Sequence, residues 1–140
     1  LADAWWTRKY RAMIRCRGLG DDVVLPGNVS NEQLDLLYTG AHAFLFPSLC
    51  EGFGIPVLEA QARGAPVITS DSSALPEVAG DGALFVDARD VDSIVAALER
   101  LTADEPLRRQ LIRAGTRNIE RFSWDRMARE LRELYLELGR

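Results

Sequence analysis

Four short apolar runs, at residues 23–25, 43–46, 67–69 and 83–86, are separated by stretches with helical patterning. Runs that do not alternate apolar with polar residues describe strands covered on both faces. Strands alternating with helices at this spacing describe a parallel sheet in an α/β domain. Residues 3–17 read as a helix carrying Trp6, Tyr10, Met13 and Cys16 on one stripe, ended by Gly18 and Gly20. Asn31 is a natural N-cap for a helix presenting Leu34, Leu37 and Tyr38. Pro56 opens a short helix to Arg63, a brief helical turn covers 75–78, and 91–101, 106–121 and 124–138 form three further helices. At 140 residues the chain is about one domain's worth.

Composition excludes several classes of partner and fold. With 47% hydrophobic and 27% charged residues the chain is neither disordered nor fibrous, and no apolar run approaches a membrane span. A net charge of −4 argues against nucleic acid or an anionic membrane as the main partner. Between Gly18 and Ala88 the single cation is Arg63, so an anion held there needs backbone groups or cations from elsewhere. Two cysteines, Cys16 and Cys50, make neither a disulfide framework nor a four-ligand zinc site, and a reducing cytoplasmic setting is expected. The start at Leu1, without Met or a signal-peptide pattern, reads as a chain cut from something longer. His42 reads as structural and Cys50 as inert. The arginines from Arg108 to Arg132 read as a solvated helix face, and Trp124 as an anchor for the last helix.

In open parallel sheets, ligands collect at the carboxyl ends of strands. The run 43–46 leads into Pro47-Ser48-Leu49-Cys50-Glu51-Gly52-Phe53-Gly54-Ile55-Pro56. Gly52 and Gly54 allow close approach of backbone to a ligand, and Pro56 suits a first helical turn. The amides of Phe53, Gly54 and Ile55, with the positive helix end, favour an anion such as a phosphate. Glu51 precedes this helix and Glu59 lies one turn inside it, where a carboxylate can accept bonds from a ribose diol. Taken alone, Glu59 and Arg63 also have the i,i+4 spacing of a surface ion pair.

The segment Glu51-Gly-Phe-Gly-Ile-Pro-Val-Leu-Glu59, preceded by Phe-Pro-Ser and followed by Gly-Ala-Pro-Val-Ile and residues 70–77, resembles the Glu, seven residues, Glu motif of family 4 glycosyltransferases. These are the glycosyl transferases group 1, with a GT-B fold. The resemblance runs from about Val23 to the C-terminus. It implies that the whole chain, 1–140, is part of a Rossmann-like, nucleotide-sugar-binding C-terminal domain lacking its first strands. By resemblance Glu51 is the catalytic-site Glu that touches the donor sugar, and Glu59 holds the ribose hydroxyls. Gly52, Phe53, Gly54 and Ile55 face sugar and diphosphate, and Gly27, Asn28 and Val29 lie along the nucleobase. The implied reaction moves a sugar from a nucleotide-diphosphate donor to an acceptor hydroxyl on a sugar, lipid or other molecule, with retention, in a bacterial-type enzyme. It implies no bound metal and no cofactor beyond the donor substrate.

Departures from the family pattern accompany this. The acceptor-binding N-terminal domain and the basic pair that clamps the diphosphate are not in this sequence, which makes the cation gap understandable and the chain, alone, half of a donor site without activity. Peripheral membrane association of the parent is compatible with such a role. With the strand order 3-2-1-4-5-6, run 23–25 would be a third strand and 43–46 a fourth, leaving the 43–46 edge bare. Two other readings are a non-catalytic nucleotide-sugar-binding module or truncated relic, and a receiver-like signalling domain. The last would need a later lysine, and none follows Lys9.

Overall fold

The computed structural model describes residues 5–139, and its contacts divide the chain into two compact units, 1–31 and 32–140. In the first unit α1 spans Trp5–Cys16, and the expected start at Asp3 lies outside the described residues. Gly18, at φ +68°, turns the chain after α1. The expected strand at 23–25 is absent: the amides of Asp22 and Val23 both donate to the Leu19 carbonyl, closing a local turn. Val24 is 79% exposed. Apolar content alone does not make a strand; without a ladder to join, the amides found partners nearby.

The second unit holds the sheet. After α2 (Asn31–Gly40) come β1 (Phe44–Phe46), α3 (Ile55–Ala62), β2 (Val67–Ser70) and α4 (Leu75–Ala79). A 3₁₀ turn (Gly80–Gly82) leads to β3 (Ala83–Val86), then α5 (Val91–Ala103), α6 (Glu105–Asn118), a second 3₁₀ turn (Ile119–Arg121) and α7 (Trp124–Leu138). All strands are parallel in the order β1-β2-β3, with Phe44 beside Val67 and Val67 beside Ala83. Among the described residues, β1 pairs only with β2.

Alternation along β2 divides the core. Val67 packs with Tyr38, Val57, Ala60, Leu75 and Ala79, from α2, α3 and α4. Its neighbour Ile68 packs with Leu101, Leu107 and Leu111, from α5 and α6. Helix starts carry their own caps: the Asp90 carboxylate accepts from the Asp92 amide, Asp104 from Leu107 and the Ser123 hydroxyl from Arg126. Among the described residues no helix is long and apolar enough to cross a membrane.

The second 3₁₀ turn ends α6 at Asn118, three residues short of the expected 121. One further expectation is corrected. Trp124 is 76% exposed and so does not anchor α7 by burial. The arginines from Arg109 to Arg132 are exposed, as expected of a solvated face, with Arg121 also donating to Asn118 Oδ1 (2.7 Å); Arg108 is half-buried, lies 2.7 Å from the His42 ring nitrogens and pairs with Glu105.

Candidate functional site

The carboxyl ends of β1 and β2 lie side by side, and the loops leaving them are tied together by hydroxyls. The Ser70 hydroxyl donates to the Ser48 carbonyl, and Ser72 Oγ lies 3.3 Å from the Leu49 carbonyl. Glu51 is held at two points. Its carboxylate Oε1 accepts from Ser48 Oγ at 2.8 Å, and its main-chain N–H donates to Ser73 Oγ at 2.9 Å. Side-chain hydrogen bonds of this kind fix both the loop and the rotamer.

From Glu51 the chain turns into α3. Gly54 sits at φ +105°, and a Cβ there would lie 2.6 Å from Leu75 Cδ2, so both backbone angle and space require glycine. No side chain caps α3, and Pro56 occupies its first turn. Pro56 has no N–H and the Val57 amide donates to the Gly54 carbonyl at 3.0 Å, so the helix start offers the Ile55 amide and its positive dipole end beside Gly52 and Phe53. This is the arrangement that accommodates a phosphate.

Glu59 is half-buried one turn further on. Its Oε2 accepts from the Tyr38 hydroxyl at 3.4 Å. The Arg63 guanidinium donates instead to Asp35 Oδ1 (2.5 Å) and to the Glu59 main-chain carbonyl (3.3 Å). The ion pair allowed by the i,i+4 spacing is thus not how Arg63 is used. Glu59 lines a cavity of about 620 Å³ together with Phe53, Ile55, Phe122 and Trp124. Phe53 is 45% exposed and meets Phe122 edge to face, with centroids 5.8 Å apart. Glu51 lies outside that lining. The structure thus brings Glu59, Phe53 and Ile55 to one groove and Glu51 to the serines at the strand ends. Gly27, Asn28 and Val29 belong to the first unit, where Gly27 takes φ +72°.

From the sequence alone Tyr38 is only a helix-face residue and Ser73 only part of a motif. Neither partnership is local: Tyr38 to Glu59 spans 21 positions and Glu51 to Ser73 spans 22. Burial, then the neighbouring Glu59 charge and hydrogen bond, push the Tyr38 phenol above its ordinary value, with Arg63 opposing. The folded state holds that proton more tightly than the unfolded chain. Tyr38 therefore contributes stability that is present below pH ~10 and lost as pH rises through its raised value. In urea denaturation, Tyr38→Phe is expected to lose less stability above pH ~10 than the parent chain. Equal alkaline losses in both would show that Tyr38 does not titrate in this way.

The description Glycosyl transferases group 1 matches residues 6–118. O-antigen chain mannosyltransferase B of Escherichia coli is 41% identical over 99 residues, 71% of this chain and 26% of the relative. MMP alpha-(1->4)-mannosyltransferase of Mycolicibacterium hassiacum is 41% identical over 125 residues, 84% of this chain and 30% of the relative. The sucrose-phosphate synthase of Thermosynechococcus elongatus superposes with TM-score 0.87 at 29% identity, over 99% of this chain and 36% of that one. The chain thus spans about a third or less of the length of these proteins. With a match covering most of its length and a parallel α/β sheet of the same build, the chain belongs to the glycosyl transferases group 1 family.

Proposed function

We propose that these 140 residues are the nucleotide-sugar-binding part of a retaining glycosyltransferase, the C-terminal half of a two-domain GT-B enzyme. The observation that carries this is the α3 entry: a helix start without a side-chain cap, preceded by Glu51 and followed one turn later by Glu59. The named relatives favour mannose as the sugar transferred.

In this reading the diphosphate of the donor rests against the amides of Phe53, Gly54 and Ile55. The α3 dipole offsets the charge that grows as the bond between anomeric carbon and diphosphate oxygen breaks. The acceptor oxygen bonds to that carbon, and its proton leaves with the diphosphate. Glu59 accepts from the ribose hydroxyls, and Glu51 faces the sugar. Arg63, Arg121 and Arg126 line the groove beside Glu59, and a basic pair from outside these residues completes the clamp, so the 140-residue chain by itself is expected to be inactive in transfer.

Calorimetry on the full-length polypeptide containing these residues, with GDP and UDP compared against GDP-mannose and UDP-glucose, tests the assignment. Glu59→Gln should weaken the bare nucleotide by about 1–3 kcal/mol through loss of a charged ribose contact. Glu51→Gln should leave the bare nucleotide nearly unchanged while lowering turnover or nucleotide-sugar affinity. Equal losses for both ligand types in both variants would overturn the division of roles.

A further inference from the structure

Among the described residues, Ser73 is the one residue other than glycine with a positive φ, at +54°. Left-handed backbone disfavours an L side chain, and glycine would relax it. What serine adds at that position is the hydroxyl that accepts the Glu51 N–H at 2.9 Å, from the exit loop of the neighbouring strand. Non-glycine residues held in such conformations concentrate where a site needs a group placed. The surrounding bonds define what is placed: Ser48 Oγ fixes Glu51 Oε1, and Ser72 reaches the Leu49 carbonyl two residues before Glu51. Ser73 thus grips the main chain of the residue whose carboxylate Ser48 orients.

We propose that Ser73 is a positioning residue for Glu51, holding its backbone so that the carboxylate meets the donor sugar. This rests on the reading of Glu51 as the sugar-facing carboxylate. A residue that merely folds the loop would lose stability and function together when altered. A positioning residue in a strained conformation separates them, because Ser73→Gly relieves the backbone while removing the hydroxyl.

The experiment compares Ser73→Gly, Glu51→Gln and the double variant in the full-length polypeptide. It measures thermal midpoint, affinity for GDP and UDP, and transfer from GDP-mannose and UDP-glucose. Ser73→Gly is expected to keep or raise the midpoint, leave the bare nucleotide within about twofold, and slow transfer about five- to tenfold, the scale of one lost hydrogen bond. The double variant should be no slower than Glu51→Gln alone, since both act through one carboxylate. If Glu51→Gln is selective for transfer while Ser73→Gly matches the parent protein in both assays, the Ser73 proposal alone is overturned. If Ser73→Gly lowers midpoint, nucleotide affinity and transfer together, its role is loop folding and the proposal is again wrong. If Glu51→Gln itself shows no selective loss, the reading of Glu51 fails and takes the Ser73 proposal with it.

Discussion

Gly82→Ala is expected to destabilise the domain by about 3 kcal/mol, at the upper end of overpacking effects. A Cβ at residue 82 would lie 2.5 Å from Gln61 Nε2, 2.6 Å from Gly115 Cα and 2.8 Å from Gly115 N. Two of those atoms are backbone of α6, which no rotamer change can move aside. Gly82 is buried, so the methyl cannot swing into solvent either. Gly115→Ala meets Gln61, with Cγ at 2.9 Å and Cβ at 3.2 Å, and should cost less because its nearest contacts are longer and none is a backbone atom. Urea denaturation of both variants checks the order. A Gly82→Ala midpoint equal to that of the parent chain would mean that the two backbones do not approach this closely.

The second large effect is expected at Asn118, buried at 6% exposure. Its amide nitrogen donates to Gln61 Oε1 (2.8 Å) and to the Val78 carbonyl (2.7 Å), and its oxygen accepts from Arg121. Gln61, 2% exposed, in turn donates to the Ala79 carbonyl at 2.9 Å. Replacing Asn118 with leucine strands Gln61 Oε1 and the Val78 carbonyl without partners, a loss of about 2–4 kcal/mol. Adding Gln61→Leu should cost less than the sum of the single changes, because the orphaned Gln61 oxygen disappears with it. Fully additive losses in denaturation would show that the two side chains act independently. Gln61 lies on α3 two residues after Glu59, so this network also holds the helix that carries the groove-lining carboxylate.

The strands that formed were legible because each has a neighbour of its own kind within this chain. Residues 44–46, 67–70 and 83–86 pair in sequence order. The run 23–25 has equal apolar content and no ladder, and its exposed side chains show that composition cannot supply a missing partner. The start of α3 was readable from Pro56, whose ring fits only a first turn. The tie between Glu51 and Ser73 was not readable, because it depends on two strand ends meeting, and nothing in serine's own preferences announces φ +54°. The ambiguity of Glu59 and Arg63 was resolved by Asp35 and Tyr38 on α2, an element whose packing the spacing along α3 cannot reveal. Trp124 departs from its expected burial for a related reason. A large aromatic at a helix start suggests burial, but along α7 Met127 and Leu134 are also about half exposed, so no buried face exists there for it to join.

Each strand in the sheet pairs with the next strand in sequence, one helix away. Building the sheet therefore closes only short loops, and the entropy of closure grows slowly with loop length. The bond from Glu51 to Ser73 closes 22 positions and needs only β1 and β2 side by side, whereas Gln61 must wait 57 positions for Asn118. The loops proposed to hold a ligand thus demand less chain entropy than the contact that locks their helix in place.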